Sequence, residues 1–280
     1  MLIFNKTKDL QAYIGLYKSK GKTIGFVPTM GALHLGHLSL IDSSQKKCDI
    51  TICSIFVNPT QFNHKKDLEC YPRTIEKDTA MLEKKGCHVL FIPLAEEVYP
   101  KKTKEIFDFG ILNKVLEGKF RPGHFNGVAQ VVKRFFEIIK PDFAFFGSKD
   151  YQQVMIVKAL IEQMHSSIEI LACPILREKD GLAMSSRNAL LNAEERRVAG
   201  LIPALLQKAK DIAQSNGIKS AKAFIAKETN LHRLMKLDYY EICDAETLNI
   251  LSTMESRRKS ISLIALYVGK IRLIDNLPIN

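Results

Sequence analysis

The chain of 280 residues has no apolar run of membrane-spanning length, and its strongest, residues 261–268, is only as long as a strand, which argues against a transmembrane helix. Residues 1–10 carry Asn5, Lys6, Lys8 and Asp9 where a signal peptide needs its apolar centre. A soluble, cytoplasmic protein is expected. None of the six cysteines, Cys48, Cys53, Cys70, Cys87, Cys173 and Cys243, forms a Cys-x-x-Cys pair. Reduced, partly buried thiols are therefore expected rather than a disulfide framework. A dense basic tract is also missing. The net charge of +11 is spread as 24 Lys and Arg against 18 Asp and Glu in residues 1–176, and 17 against 12 in residues 177–280. That pattern suits a basic surface receptive to small anions better than a polyanion-binding tail. Internal repeats and low-complexity segments are lacking as well.

What is present is an ordinary globular composition, 46% apolar and 25% charged, in a chain long enough for one large or two unequal domains. Short apolar runs at 23–27, 50–56, 88–92, 143–146 and 168–173 alternate with helix-like segments at 38–46, 74–85, 128–139 and 152–164. Such alternation predicts an α/β domain, a parallel sheet covered by helices on both faces, with ligands bound beyond the carboxyl ends of the strands. Near Leu176 the alternation stops at a polar turn, residues 177–181. Beyond it lie helical segments at 193–215 and 220–231 and strands at 238–243 and 260–268. A first domain of residues 1–176 and a smaller α+β domain of residues 177–280 are predicted, with 177–181 as a candidate hinge.

The residues that follow the predicted strands carry the chemistry. After the first comes Pro28-Thr29-Met30-Gly31-Ala32-Leu33-His34-Leu35-Gly36-His37. A strand-to-helix turn presents backbone N–H groups and the positive end of a helix dipole, so an anion, above all a phosphate, is its natural guest. His34 and His37 add donors that change charge near neutral pH, and glycine lets a ligand lie close to the backbone. The same residues also suit a plain turn with structural histidines. A zinc site is disfavoured because no third or fourth ligand stands nearby in sequence.

After the second strand, Asn58-Pro59-Thr60-Gln61-Phe62 offers two carboxamides. After the fourth, Gly147-Ser148-Lys149-Asp150-Tyr151-Gln152-Gln153 offers a close-approach glycine and a lysine suited to a phosphate gaining charge. Arg121 and His124 sit in a glycine-rich turn, 120–127, ahead of a helix with Val128, Val131 and Val132 on one face. These valines fit a core as well as a ligand wall. At the domain junction, Met184-Ser185-Ser186-Arg187-Asn188 brings two hydroxyls and a guanidinium, groups that bind phosphate.

Together with Tyr71-Pro72-Arg73-Thr74 and Arg121-Pro122-Gly123-His124-Phe125, these ordered motifs closely resemble the pantoate-beta-alanine ligase family. The resemblance implies a Rossmann-like doubly wound first domain, a smaller C-terminal lid, ATP as substrate, magnesium dependence and a homodimer. It implies that pantoate and ATP give a pantoyl adenylate, which beta-alanine then attacks. Pro28 to His37 would line the ATP site, with His34 and His37 at the phosphates and His37 as proton donor. Gly147, Ser148, Lys149, Asp150, Leu176, Met184, Ser185, Ser186 and Arg187 would complete it, and of these Lys149, Ser185, Ser186 and Arg187 join the histidines as the catalytic set. Gln61, Gln153, Asn58, Arg121, Val128, Val131 and Val132 would hold pantoate and beta-alanine, the valines facing pantoate's methyl groups.

One departure from the family pattern stands out. Where the family often has an acidic pair associated with magnesium, this chain has Lys77 and Asp78. The metal ligands stay open, with Asp78 the acidic candidate and ATP phosphates and water the other holders. Two rival readings remain. One is another adenylyltransferase of the same superfamily, acting on a phosphate acceptor. The other is a nucleic-acid-binding module, which the scattered charge does not favour. Neither a nucleic acid nor a membrane is an expected partner.

Overall fold

The computed structural model describes residues 1–62, 68–69, 71–101, 105–254 and 258–280. Cys70 lies outside them. The chain divides into two compact units. One comprises Met1–Asn113, Glu117–Ser148 and Gln152–Pro174, the other Lys114–Leu116, Lys149–Tyr151 and Ile175–Asn280.

The first unit is built on six parallel strands: β1 (Leu2–Phe4), β2 (Ile24–Thr29), β3 (Ile50–Ile55), β4 (Val89–Phe91), β5 (Phe143–Gly147) and β6 (Glu169–Cys173), in the order β1-β4-β3-β2-β5-β6. Period-two alternation sorts their side chains onto two faces. Val27, Cys53, Leu90 and Phe145 pack with Leu40 and Ile41 of α2 (Leu35–Lys47) and Leu82 of α3 (Ile75–Lys84). On the other face Phe26 and Phe91 meet Phe135 of α4 (His124–Ile139) edge-on, with ring centroids 5.6 and 6.2 Å apart. The sheet is therefore doubly wound, as the alternation predicts. Its strand order reverses at β2, which pairs with both β3 and β5. Ligands of such sheets bind where the order reverses, beyond the carboxyl ends of these strands. The segments that leave those ends begin at Met30 and Ser148.

Several boundaries differ from the sequence reading. The second helix starts at Leu35 rather than residue 38, and α4 at His124 rather than residue 128, because each begins inside a glycine-bearing motif that reads as a turn. β1 and α1 (Thr7–Lys18) were not anticipated. The strand has only three residues, and the helix buries just Leu10 and Ile14.

The second unit carries an antiparallel sheet, β7 (Met235–Asp244), β8 (Ser260–Val268) and β9 (Ile271–Pro278), in sequence order. Its core joins Leu206, Ala209 and Ala213 of one helix (Ile202–Asn216) and Ile225 of the next (Ile218–Leu231) to Ile242, Ile264 and Leu266 of the strands. The single helix expected over 193–215 is two, Ala193–Ala199 and Ile202–Asn216, with a proline in the first turn of the second. Proline lacks the N–H that would continue the earlier helix and fits a new first turn.

The polar turn 177–181 is tied down within this unit. Arg177 grips Asp275 with both arms, at 2.7 and 3.0 Å, and Arg196 bonds both Glu178 and Asp180. A turn held this way is a poor site for hinge bending.

The described cysteines Cys48, Cys53, Cys87, Cys173 and Cys243 are buried free thiols. Burial pushes Cys48 and Cys87 up to about 11 and Cys243 to about 12, so they are protonated and poor nucleophiles at neutral pH. Among the described residues no helix is long and apolar enough to cross a membrane.

Asp275 is 3% exposed, so Arg177→Ala strands a buried carboxylate. That change is expected to cost roughly 3 kcal/mol and to lower the calorimetric melting transition by several degrees. A transition within about 1 °C of the parent would show that the pair contributes little.

Candidate active site

The turn after β2 is the most constrained backbone in the first unit. Gly31 and Ala32 both have positive φ, at 80° and 49°, a conformation costing a non-glycine residue about 1–2 kcal/mol. Two buried groups hold it. The Thr29 hydroxyl donates to the Ser54 carbonyl and accepts the Gly31 N–H. The Asp78 carboxylate, fully buried, accepts the N–H of Ala32 on Oδ2 at 2.9 Å and that of Leu33 on Oδ1 at 2.8 Å. Hydrogen bonds to a charged group contribute about 1.5–3 kcal/mol each, enough to outweigh the strain. A side-chain carbon on Gly31 would lie 3.1 Å from Asp78 Oδ2 and 3.0 Å from Ile55 Cγ2, so glycine is also required by the closeness of the carboxylate.

The turn passes directly into α2. His34 is its N-cap, and its Nδ1 accepts the Gly36 N–H at 3.1 Å. His37 Nδ1 accepts the His34 N–H at 3.3 Å. The imidazoles thus do what serine and glutamate do in an ordinary capping box. A neutral ring that accepts through Nδ1 carries its proton on Nε2, which sets the tautomer of both histidines. Their ring centroids lie 4.0 Å apart.

This geometry corrects the expectation of a cradle made of open backbone N–H groups. The N–H groups of Gly31, Ala32, Leu33, His34, Gly36 and His37 all have protein acceptors. Besides the N–H groups of Met30 and Leu35, the donors this turn brings toward an anion include the imidazole Nε2–H groups, backed by the helix dipole.

A magnesium ion at Asp78 does not fit. Oδ1 also accepts the Thr74 hydroxyl at 3.1 Å, so both oxygens are committed to protein donors. Among the described residues no cluster of three or more His, Cys, Asp or Glu could hold a metal ion.

The two carboxamides after β3 have different surroundings. Asn58 is 1% exposed, and its side chain bonds the Gly127 carbonyl, Gln61 Oε1, Thr60 and the Tyr99 hydroxyl. It is an organiser of the loop. Gln61 is buried beside Met30, with Nε2 against the methionine sulfur, so the structure brings these two predicted site residues together.

Gly127 lets α4 lie on this loop, since a Cβ there would meet the Thr60 carbonyl oxygen at 2.4 Å and Gln61 Cα at 2.7 Å. His124 completes the join. Its Nε2 faces Arg121 Nη1 at 3.0 Å, and its Nδ1 lies 2.9 Å from the Gln61 carbonyl oxygen. A guanidinium only donates, so Nε2 accepts and Nδ1–H donates to Gln61. Arg121 also approaches Glu117 at 3.7 Å. Val128, Val131 and Val132 are buried on α4.

After β5, Gly147 and Ser148 continue the first unit, whereas Lys149 and Asp150 belong to the second. There Asn276 Nδ2 donates to the Lys149 carbonyl at 2.9 Å, and Lys149 Nζ lies 3.6 Å from Asp150. Gln152 is buried and satisfies the Glu117 N–H and the Leu112 carbonyl, while Gln153, next to it on α5 (Tyr151–Gln163), is only half-buried. In the second unit Leu176 and Met184 pair through a backbone bond, and Ser185 caps a short 3-10 turn, Ser186–Leu190, through the Arg187 N–H. Ser186 and Arg187 are half-buried on that turn. Sequence reasoning placed Thr29 in the ATP-lining stretch and Thr74 in a family motif, but it missed that they support the turn and that Asp78 buttresses it, because the Asp78 partners Ala32 and Leu33 are distant in the chain.

A doubly wound parallel sheet with a His-x-Gly-His turn at the point of strand reversal places the chain in the class of nucleotide-binding α/β enzymes. Comparison with known proteins narrows this further. Residues 2–278 match the model of the family described as pantoate-beta-alanine ligase. A pantothenate synthetase from Porphyromonas gingivalis is 44% identical over 277 residues, 99% of either chain. The crystal structure of pantothenate synthetase from Thermus thermophilus superimposes with a TM-score of 0.91 at 36% identity, covering 100% of this chain and 99% of the other. A pantoate-beta-alanine ligase from Francisella tularensis, complexed with beta-gamma ATP and beta-alanine, gives a TM-score of 0.83 at 34% identity, covering 100% and 98%. The chain belongs to the pantoate-beta-alanine ligase family.

Gly127→Ala sets helix propensity, a gain of about 1 kcal/mol, against a clash with backbone that cannot move aside. A net loss of roughly 2 kcal/mol is expected, read as a lower urea midpoint. A higher midpoint would mean that α4 does not rest on residues 60–61.

Proposed function

We propose that the protein condenses (R)-pantoate with beta-alanine at the expense of ATP, giving pantothenate, AMP and pyrophosphate through a bound pantoyl adenylate. The observation that carries this reading is the imidazole-capped turn at the strand reversal, in a chain that matches the ligase family over nearly its whole length.

In the first step a pantoate carboxylate oxygen bonds to the α-phosphorus, and the bond to the β-phosphate oxygen breaks. Pyrophosphate leaves with the electron pair. No protein nucleophile is needed, so the protein's part is positioning and charge stabilisation. The Nε2–H groups of His34 and His37 are the proposed hydrogen-bond donors to the phosphates; a neutral ring that accepts through Nδ1 stabilises the charge on the departing pyrophosphate by hydrogen bonding and keeps its proton. Lys149, Ser185, Ser186 and Arg187 are proposed to take the remaining phosphate charge, with Gly147, Ser148, Asp150, Leu176 and Met184 along the nucleotide.

Gln61 and Gln153 are proposed to bind pantoate, Gln61 also facing beta-alanine. Asn58, Arg121 and His124 support the Gln61 loop, and Val128, Val131 and Val132 form the apolar side. In the second step the beta-alanine amine attacks the acyl carbon, AMP departs with the electron pair of the cleaved bond, and the amine loses a proton. We further propose a homodimer, a cytoplasmic location, and ATP used as its magnesium complex, with the ion held by phosphates and water rather than by Asp78.

The reading predicts pyrophosphate release that requires pantoate and pantothenate formation that requires pantoate and beta-alanine together. Equal pyrophosphate release without pantoate, or transfer of AMP to a phosphate acceptor, would overturn it. A second test separates the two nitrogens of His37. His37→Asn keeps an acceptor for the His34 N–H but removes Nε2–H, and it should lower kcat about 10²–10³-fold with an unchanged melting temperature. A kcat within about threefold of the parent would remove His37 from the chemistry.

A further inference from the structure

We propose that Asp78 is a positioning residue of the nucleotide site, acting through the backbone of the turn after β2, and is not a magnesium ligand; this rests on the reading of that turn as the ATP-binding element. The juxtaposition that carries it is the fully buried Asp78 carboxylate bridging the N–H groups of Ala32 and Leu33, at 2.9 and 2.8 Å, which lie 46 and 45 residues away in sequence.

The carboxylate spans two consecutive amides, which fixes the orientation of both peptide planes. One of those residues, Ala32, has positive φ and would relax toward an ordinary conformation without a fixed acceptor. His34 follows immediately, and its ring is oriented by bonds to Gly36 and its backbone by His37. An error in the path at residues 31–33 therefore moves both imidazoles together. Asp78 is itself held in place. It lies in the first turn of α3, where the helix dipole favours an anion, and the Thr74 hydroxyl fixes Oδ1 from the helix N-cap. Leu82, one turn further on, anchors the helix in the core under the sheet. Oδ1 accepts two protein hydrogen bonds and Oδ2 one, and the carboxylate is fully buried, which leaves no space for a hydrated cation that keeps most of its waters and demands near-octahedral geometry.

The test uses Asp78→Asn, which keeps the shape and one acceptor but loses the other. Hydrogen exchange followed by mass spectrometry reads the peptide covering residues 30–38, and steady-state kinetics reads pantoate-dependent pyrophosphate release. The proposal expects about two amides of that peptide to lose protection. It also expects kcat/KM for ATP to fall at least about tenfold, while the magnesium concentration giving half the maximal rate stays within about twofold. Unchanged exchange in the turn, or a tenfold or greater rise in the magnesium requirement, would overturn it.

Should Asp78→Asn fail to fold, Thr74→Val decides the matter, since it removes only the hydroxyl that steadies Oδ1. The same loss of protection in smaller degree is expected, and unchanged exchange with unchanged kinetics counts against the proposal. The exchange measurement does not depend on catalysis. If the parent protein releases no pantoate-dependent pyrophosphate, the proposed function fails while the exchange comparison still decides whether Asp78 holds the turn.

Discussion

A single buried carboxylate governs the shape of the candidate site. Asp78 binds two successive backbone N–H groups of the turn after β2, and burying a charge is tolerable only because both its oxygens are satisfied. The dependence runs both ways. The turn supplies the donors that make the charge acceptable, and the charge holds a strained alanine whose conformation starts α2 at Leu35. The histidine pair follows from this start. Each ring accepts a backbone N–H through Nδ1, so the same bonds that begin the helix orient the rings and choose their tautomers.

The fold was legible because its physics is periodic. Apolar runs alternating with amphipathic segments announced a parallel sheet covered on both faces, and Phe26 with Val27, or Cys53 with Ile52, shows how one strand feeds both cores. Short or mixed elements were not legible. β1 has three residues, two of them exposed, and β9 carries Arg272, Asp275 and Asn276 among its apolar positions. The Asp275 charge makes sense only once Arg177 is seen against it.

At the site, the motif residues could be picked out, but their partners could not. The turn at 31–36 reads as a phosphate cradle because its amides look available, yet those of Gly31, Ala32, Leu33, His34 and Gly36 are occupied by a threonine, an aspartate and two imidazoles. Asp78 in turn reads as a possible metal ligand because its sequence neighbourhood says nothing of Ala32 and Leu33. Gln152 and Gln153 are indistinguishable as letters. Helix geometry separates them, turning Gln152 toward Leu112 and Glu117 and leaving Gln153 half-buried.

The occupied amides bear on how this enzyme family member can stabilise charge. Donors whose positions are fixed before reaction, backbone or side chain, raise kcat where they bind the charge that develops in the transition state better than that of the ground state. An imidazole Nε2–H held through Nδ1 adds a side-chain donor whose hydrogen bond strengthens as charge grows on the leaving group, without the proton leaving the ring. On the proposed reading, the amides spent on internal acceptors hold the imidazoles still as donors to phosphate. Preorganised donors of this sort need no rearrangement as charge develops, which is where electrostatic catalysis gains most of its effect. The glutamine side follows the same logic. His124 donates to the Gln61 backbone, and Asn58 bonds its side chain, so the group proposed to face the carboxylate substrate is fixed by neighbours that need not touch the substrate themselves. The reacting groups belong to the substrates, and the chain's contribution is a set of donors whose positions are settled before the substrates arrive.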